Sequence, residues 1–228
     1  MKRKRVGWPG RIIPGRYERV PAHGSSETFM KILTISDIVV PELSDRFDPS
    51  RFRGVELILS CGDLPPEYLS SLRQRLDAPL FYVRGNHDIR FRSAPPVGCT
   101  DIHQRRIQFQ GLRIMGLEGS RWYNGGPIQY REYQMRRMLW RMWPLLWFGR
   151  GVDIVITHAP PRHIHDAEDR CHRGFECFLQ LISRFRPRYF IHGHIHAHFA
   201  DPSQRVTLVG RTRVINTFAC HLLEVNDA

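Results

Sequence analysis

The stretch VELILSCGDLPPEYLSSLRQRLDAPLFYVRGNHD, residues 55–88, decides how the chain is read. It opens on the apolar run Val55–Ser60, short and rich in branched residues, as a buried strand is. Pro66 to Leu76 then spaces Tyr68, Leu69, Leu72 and Leu76 as one face of a helix, with proline at its start. Pro79–Val83 is apolar again and runs into Arg84-Gly85-Asn86-His87-Asp88. Strand, helix and strand make a βαβ unit, which requires the two strands to be parallel. Each strand also stops at polar residues, Gly62-Asp63 for the first and Gly85 to Asp88 for the second.

The same pattern extends in both directions. Upstream, the strand-like run Met30–Ser36 ends at Asp37. Downstream, Val152–Thr157 stops at His158, and Arg188–Ile191 leads into His192-Gly193-His194-Ile195-His196. Residues 106–117 and 206–216 read as hairpins, so antiparallel strands accompany the parallel ones. Helices are expected around 131–142 and 174–185, with Pro144 kinking or ending the first. One α/β domain over 29–228, preceded by a basic tail over 1–28, accounts for the length of 228 residues.

Five cysteines, odd in number and without a C-x-x-C pair, speak against a disulfide scaffold and a structural zinc knuckle. A reducing, cytoplasmic setting is the expectation. No run reaches the roughly 18 apolar residues of a membrane span, and the basic start is not followed by the apolar core of a secretory signal. The net charge is +12; Lys2, Arg3, Lys4, Arg5, Arg11, Arg16 and Arg19 against Glu18 supply about half of it. Such a tail is either solvated or contacts nucleic acid or an anionic membrane surface.

Ligands of open α/β sheets gather at the carboxyl ends of strands. Here five strand ends carry Asp37, Asp63, Asn86-His87-Asp88, His158 and His194/His196. Carboxylates, imidazoles and an amide oxygen without a thiolate suit Mn, Fe, Zn or Mg. One aspartate bridging two ions about 3.5–4 Å apart would suit phosphoryl transfer to water.

In order, Asp37-Ile38-Val39, Gly62-Asp63-Leu64-Pro65-Pro66, Gly85-Asn86-His87-Asp88, Thr157-His158-Ala159-Pro160-Pro161 and Gly193-His194-Ile195-His196 resemble the blocks of the calcineurin-like metallophosphoesterases. Those blocks read D-x-H, G-D-x-x-D, G-N-H-D/E, a lone H, and G-H-x-H. The resemblance covers about residues 31–224 and rests on the blocks jointly, since any one alone is weak. It implies a four-layer α/β/β/α sandwich of two mixed β-sheets flanked by helices. It also implies two divalent ions, with Asp63 bridging, Asp37 and His196 on the first, and Asn86, His158 and His194 on the second. His87 would act at the leaving group or on the phosphoryl oxygens.

Two positions depart from the pattern. Val39 stands where the first metal's histidine is expected, so that site should bind more weakly, with water, Glu42 or Asp45 as supplements. Pro66 replaces the last carboxylate of G-D-x-x-D, which leaves Asp88, Glu67 or no group at all to orient His87. Asp88 is accordingly a candidate catalytic residue beside His87.

Candidate substrate contacts lie in two loops. Arg121 and Asn124 belong to a Gly-rich loop with an aromatic pair, and His165, Asp166, His172 and Arg173 follow His158; a plain or solvated loop is the competing reading for both. His192 is expected to pack rather than ligate. Residues 131–148 alternate arginine with methionine, tryptophan and leucine, read as core with a basic edge in preference to a membrane-docking face. The leading function is hydrolysis of a phosphodiester or phosphomonoester by metal-bound hydroxide, on a small phosphorylated substrate. The rivals are a catalytically degenerate module that binds nucleic acid or an anionic membrane, and a nuclease. Oligomeric state is not legible.

Overall fold

The computed structural model describes residues 29–226. The basic tail over 1–28, and any nucleic-acid contact through it, lies outside the described residues.

Two mixed sheets form the centre. In the first, β1 (Phe29–Ser36), β2 (Val55–Ser60), β3 (Leu80–Tyr82) and β4 (Thr100–Asp101) are parallel neighbours. In the second, β5 (Arg106–Phe109) and β6 (Leu112–Leu117) form an antiparallel edge. A separate short pair, β7 (Ser120–Arg121) and β8 (Gln129–Tyr130), stands beyond them. The second sheet continues with β9 (Ile154–Thr157), β10 (Tyr189–His192), β11 (Val206–Val209) and β12 (Thr212–Asn216), in the order β11-β12-β10-β9-β6-β5. Finally β13 (Ala219–Asn226) returns antiparallel on β1 and completes the first sheet.

The period of two along each strand assigns its residues to two faces. Ile32, Leu57 and Leu59 of the first sheet meet Ile114, Ile154, Ile156 and Ile191 of the second in the central layer. On the outer face of the first sheet, Leu33, Ile35 and Ile58 are covered by Leu69 and Leu72 of α1 (Pro66–Leu76). On the outer face of the second, Met115, Val155, Phe190 and Val214 take Met135, Leu139 and Met142 of α2 (Glu132–Phe148) and Phe178, Leu181 and Ile182 of α3 (Glu176–Phe185). This is the expected α/β/β/α sandwich.

The expected elements are present with small shifts in their ends, and two differences are larger. The first is that α2 runs through Pro144 to Phe148 rather than stopping before it. Proline removes the hydrogen bond that would reach the Trp140 carbonyl, but Trp140 lies on the exposed face, where water can serve it. The second is β13, a strand that the sequence pattern does not mark.

Because β1, β2 and β3 are parallel, Asp37, Gly62-Asp63 and Gly85 to Asp88 leave the first sheet from one edge. In the second sheet, Thr157 pairs with His192 in parallel, so His158 and Gly193-His194 leave side by side. The Gly193 amide donates to the His158 carbonyl (3.0 Å), and the His194 amide donates to the Asp37 carboxylate (3.0 and 3.1 Å), so the two edges meet.

Candidate metal centre

Asp63, His158 and His194 bring one potential ligand atom each to within 4.8 Å of one another. His158 is fully buried; its Nε2 lies 3.3 Å from the Asp63 carboxylate and 3.2 Å from Asn86 Oδ1. Its other nitrogen, Nδ1, is fixed by the Cys61 carbonyl at 2.8 Å. His194 is held in the same way: Nε2 donates to the Cys171 carbonyl at 2.8 Å, which leaves Nδ1 for an ion. Anchoring the outer nitrogen of a histidine in this way fixes its tautomer and direction, as metal-ligating histidines require. The donors are nitrogen and oxygen only, which fits a divalent ion of the Mn, Fe, Zn or Mg kind.

Three of the converging residues adopt left-handed backbone angles: Asp37 (φ 69°), Asp63 (φ 58°) and His194 (φ 67°). Such angles cost energy in non-glycine residues and concentrate at functional strand ends. Gly62 (φ +94°) and Gly85 make the close approach of the two loops feasible. A Cβ on Gly62 would stand 2.3 Å from the Gly85 nitrogen, and one on Gly85 would stand 2.0 Å from Asp63 Oδ1 and 2.7 Å from His158 Cε1. Gly85→Ala must therefore displace Asp63, and a fall of about 10–100-fold in Mn²⁺ affinity is expected by titration calorimetry.

Electrostatics follow from the crowding. Burial works against the charge of Asp63, but the charge and hydrogen bond of His158, with the His87 amide at 2.8 Å, outweigh it and hold the carboxyl well below its usual range. Burial likewise disfavours a charged His158, yet Asp63 overcomes it and pushes the imidazole up to about 9. His194 is driven down to about 4 by burial and by its neighbour His158. A metal ion must displace the His158 proton. Affinity is therefore expected to rise by up to about tenfold per pH unit as pH approaches 9 and to flatten above it, with proton release read by calorimetry in two buffers of different ionisation enthalpy.

Asp88, a candidate partner of His87, is engaged by backbone amides. Its buried carboxylate accepts from the amides of Asp63 (2.7 Å), Gly85 (2.7 Å) and Leu64 (3.1 Å), tying the two loops together. Burial, opposed by the Gly85 amide and reinforced by the charge of Asp63, pushes its carboxyl up to about 7. Glu67 is paired with Arg90 instead. His87 is exposed, and its charge reaches Asp63.

Asp37 and His196 stand as a pair beside the cluster, 3.6 Å apart, with the His196 ring stacked on Phe218. Val39 is exposed. Glu42 faces Arg46 at 3.8 Å.

Most of the candidate substrate contacts have partners in the structure. Arg121 pairs with Glu132 (2.6 Å), and Asn124 closes its loop on Gly126 and Gln129. Asp166 accepts from Arg162 (2.7 Å) and the Gly174 amide, and Arg173 donates to the Glu168 carbonyl. His165 contacts His192 and Thr207. The buried His192 donates Nδ1 to the Gly193 carbonyl, so its Nε2 accepts from His165 Nδ1 (2.9 Å), whose Nε2 accepts from Thr207. His192 thus packs, as expected. The His172 ring lies 5.4 Å from that of His194, with its Nδ1 on Asp169. Tyr123, one of the aromatic pair in the Gly-rich loop, receives the Asn86 amide at 3.2 Å and so turns Asn86 Oδ1 toward His158.

A family model described as calcineurin-like phosphoesterase matches residues 23–198. The chain belongs to the calcineurin-like phosphoesterase family. Metallophosphoesterase domain-containing protein 1 of Homo sapiens is 27% identical over 126 residues, which are 54% of this chain and 35% of that protein. The chain thus spans about a third of the length of this curated relative. An uncharacterized protein of Haemophilus influenzae is 24% identical over 198 residues, 75% of this chain and 87% of its own. Among solved structures, TT1561 of Thermus thermophilus superposes with a TM-score of 0.60 at 16% identity, covering 88% of this chain and 100% of that one. The calcineurin-like phosphoesterase YfkN of Bacillus subtilis gives 0.57 at 10% identity, covering 88% and 85%. These likenesses support the calcineurin-like fold. Among the described residues no helix is long and apolar enough to cross a membrane.

Proposed function

We propose that this chain is a metal-dependent phosphoesterase that hydrolyses a small phosphodiester or phosphomonoester. The observation that carries the reading is the convergence of Asp63, Asn86, His158 and His194, with both histidines anchored behind by backbone carbonyls and His87 exposed. When bound, divalent ions supply Lewis-acid polarisation of the phosphoryl group and an acidified water. The chain's own groups do the rest. Tyr123 orients the Asn86 amide, Asp88 clamps the loops that carry Asp63 and Asn86, and His87 donates a proton to the leaving oxygen. Asp63 would be shared with a second, weaker ion held by Asp37 and His196. The five free cysteines suit a reducing, cytoplasmic setting.

Purified protein titrated with Mn²⁺ should hydrolyse bis-p-nitrophenyl phosphate with a rate that follows metal occupancy. One observation favours a second reading, a degenerate module without turnover: Val39 takes a ligand from the ion that Asp37 and His196 would hold. Val39 is exposed, so Val39→His fits without overpacking. It is expected to raise the number of tightly held Mn²⁺ ions from one toward two and to raise kcat with it. Under the degenerate reading the parent is silent with Mn²⁺, Zn²⁺, Fe²⁺ and Mg²⁺ alike.

A further inference from the structure

The outward face of α2 is unlike an ordinary solvated helix face. Met135, Leu139, Met142 and Leu146 bury one stripe, yet Trp140 (57% exposed), Leu145 (44%), Trp147 (50%) and Phe148 (88%) face outward. The exposed Arg137, Arg141 and Arg150 lie among them, and no acid occurs between residues 133 and 152. Large apolar side chains gathered on one exposed surface mark a contact surface.

This face adjoins a second feature at the end of α3. Arg184 stacks over Trp147 at 4.2 Å, and Phe185 packs edge-on against Trp143 and Trp147. The next residue, Arg186, lines a cavity of about 410 Å³ with Arg188, Arg211, Arg213, Tyr189 and Leu208. Among the described residues, none of these four arginines has a carboxylate within salt-bridge distance; Arg188 donates to the Asn226 carbonyl. Exposed tryptophan and phenylalanine beside arginines without acids complement one kind of partner, an anionic lipid surface. A second copy of the chain is disfavoured, since a two-fold contact through this face would set arginine against arginine. Nucleic acid would satisfy the arginines but would leave Leu145 and Phe148 without an apolar medium.

We propose that the α2 face and the arginine cavity form a docking surface for anionic membranes, with Trp140, Trp147 and Phe148 entering the headgroup boundary and Arg186, Arg188, Arg211 and Arg213 holding lipid phosphates. The surface lies away from the metal centre. Arg188, Tyr189 and Arg213 sit at the amino ends of β10 and β12, whereas His158 and His194 leave the carboxyl ends of β9 and β10. Docking therefore places the protein at the membrane while the metal centre continues to face water.

Full-length protein is sedimented with vesicles of phosphatidylglycerol and phosphatidylcholine, and with phosphatidylcholine alone. Binding to the anionic vesicles is expected, weakened by salt. In W140S/F148S the partition coefficient should fall roughly tenfold or more, since two exposed aromatic anchors are removed. R186E/R211E should lose the preference for anionic lipid. Both variants should keep the metal-dependent hydrolysis of a soluble ester, so loss of docking is read apart from loss of the enzyme reading. Three results would overturn the proposal: vesicle binding equal in the parent and both variants, which would assign it to the basic tail; oligonucleotide binding, without lipid, that W140S/F148S abolishes; or variants that differ from the parent only by dissociating a dimer in sedimentation velocity.

Discussion

In His158→Ala, tight Mn²⁺ binding and metal-dependent turnover are expected to vanish together. His158 has no solvent exposure, and its Nε2 is the point where Asp63 and Asn86 converge. Alanine leaves Asp63 without the charge that outweighs its burial and leaves the Cys61 carbonyl without its donor. Breaking a buried charged pair by removing one member costs about 3–5 kcal/mol, so the metal-free protein should also melt earlier. Circular dichroism separates loss of the site from loss of the fold. A variant that keeps its far-ultraviolet spectrum but binds no Mn²⁺ is the expected outcome; one that binds as the parent does would remove His158 from the ligand set.

His87→Ala should behave differently. The contact of His87 with Asp63 runs through its backbone amide, which alanine retains. Metal affinity should therefore stay within a few-fold of the parent, while kcat on bis-p-nitrophenyl phosphate falls by about 10²–10⁴, the range for loss of a general acid. An ester with a more acidic leaving group should lose less, because it needs less protonation. If affinity and rate fell by the same factor, His87 would be a group that positions the ligands and not one that acts on substrate.

How much of this is legible in the sequence differs from residue to residue. Val55–Ser60 and Pro66–Leu76 are found with the bounds read from the sequence, because both faces of a central strand and one stripe of its crossover helix are apolar. In β13, by contrast, His221 and Glu224 break the apolar run, and its pairing with β1 emerges only in three dimensions. The length of α2 escapes a sequence reading because Pro144 looks like a stop, and its place on the exposed face carries no mark in the sequence.

The site divides in the same way. Asp63, Asn86, His158 and His194 each follow an apolar run, so the pattern that ends a strand also exposes the ligand. The groups that aim the two histidines are the carbonyls of Cys61 and Cys171, and a backbone carbonyl has no residue-type signature. Proximity in sequence assigns Asp88 to His87, whereas three amides claim its carboxylate in space. Arg121, Asp166 and Arg173 show the limit of reading charge in loops. An arginine or aspartate near a site looks the same whether it meets a ligand or a neighbour.

Equilibrium dialysis of Mn²⁺ against the parent and Asn86→Ala tests the account most directly, because Asn86 contributes a neutral oxygen and its loss disturbs charge and packing least. One tightly held ion is expected in the parent, with affinity rising from pH 6 toward pH 9, and loss of tight binding in Asn86→Ala. A parent that holds no Mn²⁺ at any pH in that range, or an Asn86→Ala protein that holds it equally well, would contradict it.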